Sequence, residues 1–547
     1  MQALKTPGVY VQEIATLPPS VAEVATAIPV FIGYTETGAG KTVRINSMLD
    51  YQATFGGPKS TAMHVIAKLS TPPVIMAEPR PENVNHPEAL LWYCLSHYFL
   101  NGGGPCWIKS VGDYTAPLNK DDFTAAFAQL ESEDEPTLIV FPDATRLAAD
   151  DFATVVQAAL AHCNKMQDRF TLVDVPNGDV ETFRDGIGIN HLSYGAAYHP
   201  YLRTTMSYVY DEGAVDVAVE TDTATFRRRF GGAGGLIVTY TGAAAAAPQV
   251  TSVAGAVGDA VDFAIDALVL TISNVAGKTA SDVATAWTGW RAENDARGFE
   301  LATDAGGGAE ISPFAGEALQ RVTAETMPLS EMSTGANPQT ALYNLVKERL
   351  GKVRVALPPS ATVAGIIASV DRNRGVWKAP ANVSVSGVSG PVEKITDEAQ
   401  EDLNVDATAG KSINAIRAFS GKGTLVWGAR TLAGNDNEWR YVSVRRLFLT
   451  IEESTKKASA FAVFEPNDAT TWLKVKGMIE SYLFGLWERG ALAGSKSEDA
   501  YFVNVGLGRT MTAQDVLEGR LIVEIGIAAV RPAEFIVLRF MHKLQES

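Results

Sequence analysis

The chain has 547 residues, 46 % of them hydrophobic and 20 % charged, with 62 acidic against 46 basic side chains and a formal net charge of −16. That length exceeds what one core supports and predicts about three or four ordered domains rather than a disordered chain. The acidic balance argues against nucleic acid as the main partner, because phosphate binding needs a basic surface.

Three irregularly spaced cysteines, Cys94, Cys106 and Cys163, point to reduced thiols in a cytoplasmic protein instead of a disulfide framework. The N-terminus lacks the basic-then-apolar pattern of a secretion signal, and no run approaches the roughly 18 apolar residues of a membrane span.

Along the chain, Val9 to Ile14 forms a short strand-like run bounded by Pro7, Gly8, Pro18 and Pro19. It has no hairpin partner in sequence, so its ladder bonds are made elsewhere: on an edge of the chain's own sheet, or on a neighbouring subunit. VATAIPVFIGY (24–34) reads as a buried strand. TETGAGKT follows, but Thr35 stands where a phosphate-binding loop requires glycine, and the next segment is strand-like, so the run reads as a turn. Residues 87–200 alternate helical and strand-like runs, which predicts an α/β unit with a largely parallel sheet. Residues 212–320 are rich in Gly, Ala, Val and Thr and read as an inserted α+β domain with its own core.

The segment 338–392 returns from a helix to the strand-like VRVALPPS and a Pro-rich crossing. In YVSVRRLFLTIEES, Tyr441, Val444, Phe448 and Ile451 recur at helical spacing. EPND (465–468) reads as a helix start, with Asn467 or Asp468 as the cap. Trp472, Val475, Ile479, Tyr482 and Leu486 form the apolar stripe of the helix that follows. Three strand-like runs close the chain: YFVNV, RLIVEIGIAAV and AEFIVLRF.

The search for chemistry finds no catalytic residues, no metal ligands and no cofactor motif. Asp143 and Asp174 fall at the strand ends where α/β sheets bind ligands, but lack a partnering base and read as loop and cap carboxylates. His191 and His199, among tyrosines, are the one histidine cluster, and packing explains them more simply than metal. Ser454–Lys457 spells SxxK without its companion motifs. Asp371, Arg372 and Arg374 read as structural pairs that hold the crossing segment.

Several segments together resemble the phage tail sheath family. They are TPGVYVQEI and IPVFIGYT near the start, then NGGGPCWIKSV, TLIVFPDA, DRFTLVDVP and AAYHPYL. PPS, VAG and RGVWKAPAN follow in the middle, and TLVWGARTL, WRYVSVRRLFLTIEES, FEPND, GALAG and PAEFIVLRF at the end. The resemblance implies an α/β and α+β multidomain fold. Its parts are an N-terminal linker arm (1–22), an α/β middle domain (23–211 with 321–392), an inserted outer-surface domain (212–320), a C-terminal core (393–531) and a C-terminal strand and arm (532–547). It implies a structural, non-enzymatic subunit that polymerises as a six-fold helical sleeve and contracts from a metastable extended state. The implied partners are further copies of the chain, an inner tube protein, and baseplate and tail-terminator proteins, with no nucleic acid and no stable membrane insertion. The implied location is the host or producer cytoplasm during assembly, then a phage tail or released injection particle.

Under this resemblance Val9, Tyr10, Val11, Ile14, Phe535, Ile536, Val537 and Leu538 complete the C-terminal sheet of neighbouring subunits. Arg430, Arg440, Arg445, Arg446, Glu452 and Glu453 are candidates for contacts with the tube or between subunits, so reversing Arg445 and Arg446 is expected to impair assembly without unfolding the subunit. The alternatives from residues alone are a cytoplasmic α/β enzyme and a monomeric surface-binding protein acting through 212–320.

Overall fold

The computed structural model describes residues 20–538 apart from 69–72, 80–88, 221–223, 244–246, 305, 322–325 and 335–338. The strand expected at Val9–Ile14, with Val9, Tyr10, Val11 and Ile14, lies outside the described residues. Two compact units emerge: Met1–Lys59 with Asn85–Met206 and Arg354–Ser547, and Ser60–Val84 with Ser207–Val353.

The first unit begins with β1 (Pro29–Thr35), whose seven residues are all buried, as a strand covered on both faces must be. Gly38 and Gly40, with φ of 76° and 80°, turn the chain into β2 (Thr42–Ile45). A strand thus follows the glycine turn, not the helix a phosphate loop would need. Helix α1 (Leu91–Leu100) leads to β3 (Cys106–Asp113). Helix α2 (Lys120–Gln129), capped by the Asn119 side chain, precedes β4 (Leu138–Val140). Helix α3 (Ala149–Met166) ends at Gln167 in the left-handed region and feeds β5 (Phe170–Asp174), and β6 (Gly195–His199) follows.

After the second unit the chain re-enters through α4 (Ser360–Arg374), β7 (Val383–Ser384), α5 (Asp397–Asn404), β8 (Ile413–Phe419) and β9 (Gly423–Val426). These strands build one nine-stranded sheet in the order β2-β3-β1-β4-β5-β6-β8-β9-β7. From β3 to β8 it is parallel, with antiparallel strands only at its two ends. Helices α1 and α4 approach so closely that a Cβ on Gly365 would lie 2.5 Å from the Tyr98 carbonyl oxygen. The TLVWGAR run, expected in the C-terminal core, lies in this sheet instead. Its hairpin partner β8 pairs in parallel with β6, Ile413 opposite Ala197, a match some 200 residues apart that no local pattern reports.

The C-terminal part of this unit packs α6 (Val442–Ala458) and α7 (Ala469–Glu488) with a hairpin of β10 (Tyr501–Val505) and β11 (Val523–Ile527). Asp468 caps α7 by accepting from Thr470 and Thr471 N–H. Leu447 and Ile451 of α6 meet Val475, Ile479, Leu483 and Leu486 of α7 in one core. The expected stripes are present, with Tyr441, Phe448, Trp472 and Tyr482 half-buried at the margins.

Among the described residues the second unit holds three four-stranded sheets, two of them packed on one core. Leu236–Gly242 is central to one, and Gln249–Ser252 and Val269–Ser273 to the other; the helix Ala280–Glu293 buries Trp287 between them. The unit extends beyond 212–320. Met63–Lys68 pairs in parallel with Asp216–Glu220, and Thr326–Pro328 flanks the same sheet. That pairing joins segments about 150 residues apart, so the composition change at 212 does not mark its edge.

Candidate assembly site

The described segments next to the two chain ends are both fastened in the first unit. On the N-terminal side, Val24 N–H donates to Ser454 Oγ (3.1 Å), the Thr26 carbonyl accepts from Arg446 (2.7 Å), and Glu23 pairs with Arg489 (2.9 Å). Val21 packs on the α6–α7 core. The segment leading to residues 1–19 is thus pinned to both helices of the C-terminal part.

On the C-terminal side, Ala493 N–H donates to the Ala528 carbonyl and Val530 N–H to the Ala491 carbonyl. Arg430 then grips Glu534 through Nε (2.9 Å) and Nη2 (2.6 Å), while Asn404 Nδ2 (3.0 Å) and the Tyr441 hydroxyl (3.2 Å) donate to the same carboxylate. Burial pushes the Glu534 carboxyl up, but these donors outweigh it and hold the group below its ordinary value. Directly after this anchor, Phe535, Ile536, Val537 and Leu538 are 72–79 % exposed. Among the described residues they pair with no strand. Their expected ladder is therefore not made among the described residues. Among the described residues the β10–β11 hairpin likewise has only two strands, fewer than a free-standing sheet needs.

Most of the charged candidates are engaged within the subunit. Arg446 is buried against Asp371 (2.5 Å), with side chains 3 % and 4 % exposed. Arg445 is buried between the rings of Tyr194 (4.1 Å) and Trp439 (4.3 Å). Arg430 is committed to Glu534, Glu453 pairs with Lys457 (2.6 Å), and Arg440 bonds the Gly434 carbonyl and Asn437. Glu452 is exposed. Reversal of Arg445 and Arg446 would therefore damage the subunit itself. The alternation of charges in the sequence does not reveal this, because their partners lie on α4 and on the loops before β6 and α6.

The sequence's other chemical candidates are structural. Asp143 accepts from the backbone of Tyr34 (2.8 Å) and Leu90 (2.6 Å). Asp174 accepts from Ser360 N–H (2.7 Å) and Oγ (2.5 Å), holding the first turn of α4; burial pushes its carboxyl up to about 7. His199 is buried beside Glu393 (3.5 Å), whereas His191 is exposed, and among the described residues neither joins a group of potential metal ligands. Ser454 accepts from Val24 and Lys457 pairs with Asp134 and Glu453, which accounts for the SxxK run. Arg372 donates to the Gly102 carbonyl.

Sequence reasoning missed the Glu534 anchor, since a lone acid before an apolar run carries no periodic signature. It also missed the carboxylates of Asp134, Asp168 and Glu453, which lie within 4.8 Å of one another and are bridged by Lys457 and flanked by Arg169. Among the described residues no helix is long and apolar enough to cross a membrane.

Two family descriptions match this chain: the phage tail sheath protein central domain over residues 265–432, and the phage tail sheath C-terminal domain over 434–542. The tail sheath protein of Burkholderia phage BcepMu is 32 % identical over 152 residues, 26 % of this chain and 30 % of that one. The tail sheath protein of Vibrio phage KVP40 is 24 % identical over 186 residues, 34 % of this chain and 26 % of that one. The matched regions thus span under a third of these relatives' lengths. Among solved structures, a chain of the anti-feeding prophage baseplate is 27 % identical, with a TM-score of 0.56 and coverage of 99 % of this chain and 100 % of that chain. A chain of the PVC sheath complex, an extracellular contractile injection system in its contracted state, is also 27 % identical with a TM-score of 0.56, covering 100 % and 99 %. On these matches, which run through both the nine-stranded sheet and the α6–α7 core, the chain belongs to the phage tail sheath family.

Proposed function

We propose that the chain is the structural subunit of a contractile sheath. Copies polymerise as a six-fold helical sleeve around an inner tube and contract from a metastable extended state, driving the tube through a target envelope. Baseplate and tail-terminator proteins bound the sleeve, which assembles in the host or producer cytoplasm. The inserted region 212–320 decorates its outside. The observation that carries this reading is end-to-end similarity to subunits of contractile injection systems.

The chain ends supply the linkage. Four exposed apolar residues follow a rigid anchor at Glu534, and among the described residues the β10–β11 hairpin pairs with no third strand. Strands donated by neighbours, Val9–Ile14 at one end and Phe535–Leu538 at the other, would complete that sheet. Backbone ladders tie subunits firmly while the domains between them move from one packing to another. The stroke needs no bound nucleotide in this reading, because its energy is stored at assembly.

Negative-stain electron microscopy tests the proposal on the full chain and on a variant lacking residues 1–20, each with tube and baseplate proteins supplied. Striated hollow tubes from the full chain, lost on truncation, are expected. Compact monomers from both would overturn the sheath reading.

A further inference from the structure

Arg374 at the end of α4, Trp377 and Lys378 beyond it, Arg489 after α7, and Arg531 of the tail line a cleft of about 500 Å³ that no carboxylate lines among the described residues. Arg489 is engaged by Glu23 and lies 5.5 Å from the Trp377 ring. Arg374 and Arg531 are exposed and, among the described residues, have no hydrogen-bond or ion-pair partner. Burial and the neighbouring Arg374 lower the pKa of the Lys378 ammonium. In a chain of net charge −16, Arg374 and Arg531 of this cluster have no carboxylate partner among the described residues.

The complementary surface is helix α5. Glu398, Glu401 and Asp402 are three and four residues apart, so they share one helix face, and all three are exposed. Among the described residues none has a cationic partner; only Asp397 does, through Arg417. Like charges at this spacing destabilise a helix unless an outside group compensates. The helix is nonetheless held rigidly, because the carbonyls of Asp402, Leu403 and Asn404 accept from Arg184 and Arg430.

We propose that the Arg374–Lys378–Arg531 cleft is the docking site for the acidic face of α5 on a second copy of this chain. Cleft and helix are different patches of one molecule, so the contact is head-to-tail and propagates into a ring or an open helix, the latter being what a helical sleeve requires, where a self-matching patch would stop at a dimer. The inference rests on the sheath reading and adds to it a side-chain contact independent of strand exchange. Arg374 and Arg531 act at a solvated rim, so the contact weakens as salt screens it.

The test uses the full chain with its tube partner. The R374E/R531E variant should fold with an unchanged melting temperature, yet need on the order of tenfold more protein to form tubes. The E398K/E401K variant should show the same defect, and the quadruple variant, with charges exchanged across the contact, should assemble near the wild-type concentration. Assembly of R374E/R531E at the wild-type concentration would overturn the proposal, as would a quadruple variant that remains defective. Failure of the wild-type chain itself to form tubes would count against the sheath reading, not against this contact alone.

Discussion

Arg446 donates to Asp371 on α4 and to the Thr26 carbonyl, so one guanidinium joins the N-terminal segment, the sheet's covering helix and α6. Removing one partner of a buried pair strands the other charge away from water, which typically costs about 3–5 kcal/mol. Arg446→Ala is therefore expected to lower stability by about that amount in urea titration followed by tryptophan fluorescence. A loss of under about 1 kcal/mol would show the pair to be dispensable.

Asp174 makes a second residue-scale prediction. Its folded pKa of about 7 lies above the unfolded value near 4. The contribution of its protonated form is fully present below about pH 4 and is lost as pH rises through about 7. Asp174→Asn keeps an acceptor for Ser360 N–H but cannot ionise. The stability of wild type relative to this variant should fall between pH 4 and 7 and stay level above; a constant difference would refute the assignment.

At the scale of elements, the tail after β11 is held by two kinds of bond. Ala528 and Val530 N–H groups donate to the backbone of Ala500 and Ala491, and Glu534 is clamped by Arg430. A hydrogen bond to a charged partner is worth about 1.5–3 kcal/mol, and here it holds a chain end that backbone bonds alone leave prone to fraying. Glu534→Gln should accelerate amide exchange at Ala528 and Val530 while leaving α6 and α7 protected. Unchanged exchange at those two amides would mean that the clamp does not hold the tail. Because the Glu534 carboxyl is held below its ordinary value, its contribution is present above the unfolded pKa and is lost as pH falls through the folded one.

At the scale of the molecule, the second unit has its own core around Trp287, which is fully buried among Phe263, Val283 and Leu301. Truncating a buried tryptophan costs about 3–5 kcal/mol. Trp287→Ala should lower the melting transition of this unit in calorimetry and leave that of the α/β unit in place. A single transition shifted as a whole would show that the two unfold together.

Period and punctuation within a short window were enough to read much of this chain. The strands at 29–35, 138–140 and 170–174, the helices at 149–166 and 469–488 and the Asp468 cap all follow from local apolar spacing and capping chemistry. The family resemblance was equally legible, because its motifs are contiguous runs. Only the tertiary structure decided which distant segments pair. Ile413–Phe419 joins the sheet through Gly195–His199, and Met63–Lys68 joins the second unit through Asp216–Glu220. It also decided which charges are spent inside the subunit. Arg430, Arg445 and Arg446 look like surface cations in sequence, but Glu534, Tyr194 with Trp439, and Asp371 fold over them. A charge at one position says nothing of the partner that a long loop will bring beside it, and burial depends on that partner.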